Sequence, residues 1–241
     1  MPEKRAYKYF DLIVGLFVAV LVISNIASVK IVLIRIPLGL LRPILPLPPT
    51  AALTFDGGTL LFPISYIFGD ILTEVYGFAH SRRAIWTGFA GLALLSLTLW
   101  IVGILPAAPG WTGQEAYKAT LMFAPRVAGA SMLAYFAGGF ANSTILSRLK
   151  IATRGRWLWT RTIGSTLVGE LVDSVVFVAA AFAGAMSSSL LFSIMLSNYV
   201  FKTAYEIAAT PATYAVTGWL KRAEQEDKYD YGEKYNPFRL E

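Results

Sequence analysis

Of 241 residues, 56% are hydrophobic and only 15% charged, whereas an ordinary soluble domain is about a quarter charged. Too few polar side chains remain to cover a water-facing surface, so lipid must solvate much of the chain. The absence of cysteine excludes a disulfide framework, a thiolate metal site and a cysteine nucleophile, and a lone His80 excludes a zinc site built on two or more histidines.

A hydrocarbon core about 30 Å thick needs roughly 20 mainly apolar residues per helix. Six stretches qualify, at about 9–34, 59–78, 84–105, 125–146, 162–186 and 190–220. The first starts like a signal peptide, but its apolar run is too long, and Asn25 and Lys30 interrupt the place of a cleavage site, so it is retained. Pro37 to Asp56 holds five of the 12 prolines and reads as an extended loop or short re-entrant segment. The third span is almost wholly apolar and is placed at the periphery. A second loop, Gly103–Ala124, leads to the fourth span, where Ala130, Ala134, Ala137, Gly138 and Ala141 form a small-residue face. Such a face permits close helix approach, within the bundle or in a homodimer. Ser187–Ser189 is a tight turn, and Pro211 should kink the sixth span. The expectation is an all-α polytopic membrane protein, with one six-helix domain over 1–220 and a polar, partly disordered tail over 221–241.

The net charge of +6 invites a nucleic-acid reading, but the positions of the basic residues argue otherwise. With the N-terminus inside, the inner segments carry fifteen of the 21 Lys and Arg residues. The outer ones carry Arg35, Arg42 and Lys118, with Arg126 at a helix entrance. That asymmetry is a topology signal. Both termini are assigned to the cytoplasm, and no nucleic-acid partner is expected.

An ionisable group at mid-bilayer costs at least about 2.5 kcal/mol, yet the spans carry many. The first holds Asn25 and Lys30; the second, Asp70 and Glu74; the fourth, Arg126 and Asn142; the fifth, Glu170 and Asp173; the sixth, Asn198, Lys202 and Glu206. Residues four apart share a helix face. Phe62, Tyr66, Asp70 and Glu74 therefore form one stripe, and Asn198, Lys202 and Glu206 another. Salt bridges such as Lys202 with Asp173 would also arise as structural staples, and Glu74 and Arg126 would also suit the membrane interface. Five acids and two lysines exceed what stapling needs, so a shared polar cavity is expected. An intramembrane enzyme is disfavoured: there is no Ser–His pair, and no aspartyl-protease motif flanks Asp70 or Asp173. No cofactor is expected, and no GxxxxGK[ST] phosphate loop occurs.

Four segments, SNIASVKI (24–31), FPISYIFGDILTEVYG (62–77), STLVGELVDSVVF (165–177) and NYVFKTAYEIAATPATYAV (198–216), together resemble the bacterial queuosine precursor transporter family within the vitamin-uptake transporter group. The likeness runs from Phe10 to Leu220, while Pro37–Pro49 matches nothing in that family. The resemblance implies import of the 7-deazaguanines preQ0 and preQ1, precursors of a modified tRNA base, across the bacterial inner membrane. It also implies a span count like that of the substrate-binding subunits of energy-coupling-factor transporters, but no ATP-driven module. A substrate-capture subunit dependent on a partner ATPase is the alternative. With a deazaguanine as ligand, one carboxylate would accept the N1–H and 2-amino donors. Lys202, Lys30 or Asn25 would donate to the 6-oxo group, and Tyr66, Phe62, Phe177 and Tyr199 would form a slot for the bicycle.

Overall fold

The computed structural model describes residues 7–37, 50–122, 125–182, 184 and 188–239. In chain order they form α1 (Phe10–Ala27), β1 (Ile31–Pro37), β2 (Thr50–Asp56), α2 (Phe62–Tyr76), α3 (Phe78–Ile104), α4 (Gln114–Leu121), α5 (Pro125–Ala152), α6 (Leu158–Phe182) and α7 (Ser188–Glu224), with a 3-10 turn at Gly57–Leu60 between β2 and α2. Six of the helices fall on the six expected stretches. The short α4 lies in the loop before the fourth. By length and composition, Phe10–Ala27, Phe78–Ile104 and Leu158–Ala180 can each cross a membrane.

The all-α expectation needs one correction. The first helix stops at Ala27, and the following β-branched run pairs as a strand. β1 and β2 are antiparallel, with Ile31 opposite Asp56 and Pro37 opposite Thr50. Lys30 therefore sits in the exposed link after α1, not inside a span. Gly57 closes the link. Its N–H donates to the Lys30 carbonyl at 2.7 Å, and a Cβ there would lie 2.6 Å from the Ala27 carbonyl oxygen. Of the expected Pro37–Asp56 loop, residues 38–49 lie outside the described residues.

The bundle buries polarity and exposes apolar side chains. α1 turns Ile13, Phe17, Leu21 and Ser24 inward at helical spacing and leaves Leu12, Leu16, Ile23 and Ile26 outside. Leu94, Leu97, Trp100, Ile101 and Ile104 leave the C-terminal half of α3 exposed on several sides, as a peripheral span would be. Inside lie Asp70, Glu74, Asn142, Arg161, Glu170 and Glu206, all 2% exposed or less. A water-soluble fold distributes these the other way; this is a membrane protein.

α2 is the central helix. At 15 residues it is about 22 Å long, short of a full span, but it packs against α1, α3, α5 and α7 rather than facing lipid alone. It ends at Gly77, whose φ of 84° and ψ of 170° belong to a region open essentially to glycine. α3 begins at the next residue, so His80 lies in its first turn. α5 and α6 form a close antiparallel hairpin. A Cβ on Gly138 would meet the Tyr66 hydroxyl at 2.6 Å and the Gly169 carbonyl at 2.9 Å. Gly138, in the small-residue face of α5, thus packs inside the bundle against α6 and α2. α7 runs 37 residues with Pro211 in its interior.

The tail is not a loose extension. Asp230 Oδ2 accepts from the Phe78 N–H at 2.9 Å, capping α3, and from the Ser147 hydroxyl at 2.6 Å. Lys228 N–H reaches the Val75 carbonyl at 3.2 Å. Trp86 Nε1 donates to the Pro237 carbonyl at 2.7 Å, and Arg148 lies 4.8 Å from the Tyr235 ring centroid. The polar sequence concealed this, because the partners are the helix ends around Gly77.

Candidate functional site

One face of α6 reads Thr162, Ser165, Thr166, Glu170, Asp173 and Ser174 at three- and four-residue steps, and all six are buried. This face meets the Lys202–Glu206 stripe of α7. Lys202 Nζ lies 2.7 Å from Asp173 Oδ2 and 3.0 Å from Glu170 Oε2. It also stands 4.4 Å from the centroid of the Phe62 ring, within cation–π range. Phe62 and Tyr66, one turn apart on α2, have centroids 5.8 Å apart. Phe62, Tyr66, Glu170, Asp173 and Lys202 thus converge, with a single ammonium shared by two carboxylates and an aromatic face.

Toward the other end of α2, Asp70 Oδ1 accepts from Asn142 Nδ2 of α5 at 2.6 Å. Its Oδ2 has no hydrogen-bond partner. The neighbouring Ser165 hydroxyl donates instead to the Thr162 carbonyl at 2.9 Å. Tyr66 Oη, Asn142 Oδ1, Thr166 Oγ1, Ser174 Oγ, Thr203 Oγ1 and both Glu206 oxygens are also buried without partners. Native proteins leave few such groups, so a concentration on the facing sides of α2, α5, α6 and α7 marks a place built to meet polar atoms. Beside it, Phe17, Ser65, Tyr66, Gly69, Tyr135, Asn142 and Ser143 line a cavity of about 20 Å³, room for about one water.

Glu74, one turn beyond Asp70, belongs to a different assembly. Arg161 grips its carboxylate with Nη2 at 2.6 Å and Nε at 3.1 Å. Lys221 reaches the same carboxylate at 2.6 Å and Lys150 at 3.6 Å. Lys150 and Lys221 also hold Asp227 of the tail, at 2.5 and 2.8 Å. Burial alone would raise the Asp227 pKa, but hydrogen bonds from Lys150 and Lys221 outweigh it and hold the carboxyl below its ordinary value. Sequence reading missed this clamp: Arg161, Lys150 and Lys221 are helix-end cations that had been counted only toward topology. Ser165, Thr166 and Ser174 were legible as extensions of the Glu170–Asp173 face.

The remaining candidates stand apart. Asn25 donates to the Leu21 carbonyl of its own helix at 3.0 Å. Phe177 and Tyr199 are half-buried on α6 and α7, within one turn of Asp173 and Lys202 respectively. Arg126 and Asn198 lie on α5 and α7, with side chains outside the described residues. Among the described residues, no group of three or more His, Asp or Glu side chains could hold a metal ion.

Residues 56–216, from the end of β2 through the Pro211 region of α7, match the family model described as "putative vitamin uptake transporter". The chain belongs to this family. It is a family of transporters, not enzymes. The matched segment contains α2, α5, α6 and the polar stripe of α7, and so the whole converging cluster. A Bacillus subtilis protein named "probable queuosine precursor transporter" is 32% identical over 176 residues, covering 72% of this chain and 76% of the relative. The Escherichia coli queuosine precursor transporter is 27% identical over 162 residues, 66% of this chain and 71% of its own. No solved structure is significantly similar.

Proposed function

We propose that this family member imports 7-deazaguanine queuosine precursors, preQ0 and preQ1, through a six-span bundle in the bacterial inner membrane, with both termini in the cytoplasm and no partner ATPase. The observation that carries the reading is the set of buried, unpartnered polar atoms facing one another across α2, α5 and α6. Asp70 Oδ2 and Asn142 Oδ1 are acceptors and suit the N1–H and 2-amino donors of a deazaguanine edge. Tyr66 Oη is a donor within the same group, and with Lys202 it suits the 6-oxo oxygen. Phe62 and Tyr66 supply flat apolar surface. In preQ1 the aminomethyl cation would find a second carboxylate in Glu170 or Asp173. The relatives named as queuosine precursor transporters supply the substrate class.

A bicyclic base exceeds the 20 Å³ cavity, so binding requires α2 to part from α5 and α6. The test is a panel of deazaguanines, guanine, adenine and vitamins offered to the purified protein, with thermal shift and calorimetry as readouts. The reading predicts saturable binding of deazaguanines and none of adenine. Binding of an unrelated vitamin alone would refute it. Uptake that appears only with a co-expressed ATPase would move the chain to the capture-subunit class.

A further inference from the structure

Among the described residues, one acid in the bundle has neither counter-charge nor donor. Glu206 on α7 is 1% exposed, and neither carboxylate oxygen has a hydrogen-bond partner. Lys202, one turn away, is committed to Glu170 and Asp173. The charged groups facing Glu206 from the helices packed against α7 are themselves acids: Asp70 of α2, with its own unpartnered Oδ2, and Glu170 of α6. The cations that hold Glu74 at the base of α2 are consumed there and by Asp227.

Among the described residues these four acids, Asp70, Glu170, Asp173 and Glu206, thus have one lysine near them, and it is paired with Glu170 and Asp173. A buried carboxylate with no cation and no donor is the least tolerable state for such a group. A neutral acid removes the charge and gains an O–H donor. A proton is the occupant that neutralises this carboxyl with the groups present.

We infer that Glu206 is the proton-carrying site of the transport cycle, distinct from the Asp70–Asn142 pair that reads the substrate edge; the inference rests on the transport reading above. In the closed bundle Glu206 is the neutral acid. When the chamber opens to the cytoplasm, its O–H bond breaks, the proton passes to water, and the carboxylate is left. Reprotonation from the outer side resets the site, so substrate and proton enter together.

The test has two arms. In the first, infrared spectra of the substrate-free protein at neutral pH are compared between wild type and Glu206→Gln. A carboxylic-acid C=O band present in wild type and absent from the variant is expected, and superimposable bands overturn the proposal. If Glu206→Gln does not fold, Glu206→Asp replaces it; the band and its titration midpoint should then move, and an unmoved midpoint overturns the proposal. In the second arm, sealed vesicles take up deazaguanine at different external pH. Wild-type uptake should quicken as the outside is acidified. The residual uptake of Glu206→Gln should be independent of pH, and that of Glu206→Asp should follow a displaced profile. A pH-independent wild type, or variants that keep the wild-type profile, overturn the proposal. Vesicles that take up no deazaguanine at any pH refute the substrate reading instead, while the infrared arm still decides the proton site.

Discussion

Asp70 and Asp173 look alike in the sequence, each an acid near the middle of an apolar helix, yet the fold gives them different partners. Asp173 is neutralised by Lys202 at 2.7 Å, whereas Asp70 has only the Asn142 amide and keeps one oxygen free. On the proposed reading, Asp70 is therefore the acid assigned to a donor edge. Asp70→Asn would replace an acceptor with a donor facing the ligand's own donors. Losing a charged hydrogen bond there costs about 1.5–3 kcal/mol, so calorimetry should show affinity falling at least about tenfold. Analogues without the 2-amino group should lose less. Glu74 lies on the same stripe, four residues on, but its role could not be read locally. Arg161 and Lys221 reach it across 87 and 147 residues of chain, and helix period says nothing about which distant cation arrives. Removing one partner of a buried ion pair typically costs about 3–5 kcal/mol. Glu74→Gln should accordingly lower the thermal midpoint far more than it alters ligand affinity in the folded fraction, as parallel melting and binding measurements would show.

Elements were legible where their determinants are local. Apolar runs placed six of the helices, and the three- and four-residue steps on α6 and α7 placed the polar faces that meet. Misreadings occurred where a tertiary contact overrides the local signal. The apolar count carried the first span to Ile34, but β1 pairs with β2, a partner supplied from beyond the proline-rich segment. The tail looked disordered by composition because its anchors are elsewhere: the Phe78 N–H, Ser147, Lys150 and Lys221. Its docking has a defined pH sign. The Asp227 pKa is depressed in the folded protein, so its contribution is present above the ordinary carboxylate value of about 4 and is lost as pH falls through the lower folded value. Hydrogen exchange over 225–239 should stay protected from neutral pH down to about 5, well above that range, and open in stronger acid. Asp227→Asn should open it at neutral pH, and equal protection in that variant would show that the two lysines do not hold the tail.

At the scale of the molecule, apolar residues outside and acids inside describe a bundle solvated by lipid around a polar interior. Its base is fastened by the Glu74 clamp and the tail at the Gly77 joint. That arrangement leaves the opposite, outer half of α2 and α7 freer to part, provided both termini are cytoplasmic. The absence of native cysteine makes the orientation simple to test. Single cysteines replacing Ala108 or Ser188 should react with an impermeant thiol reagent outside intact cells, and one replacing Ala152 should not. Labelling at Ala152 would invert the topology. The central claim, a deazaguanine carrier that works alone, is tested most directly by uptake of radiolabelled preQ0 and preQ1 into sealed vesicles containing only this purified protein. The account predicts saturable uptake that unlabelled deazaguanines compete away, adenine does not, and Asp70→Asn lowers at least about tenfold at substrate concentrations far below saturation. Vesicles that accumulate neither compound above protein-free controls, or wild-type uptake unchanged in Asp70→Asn, would contradict it.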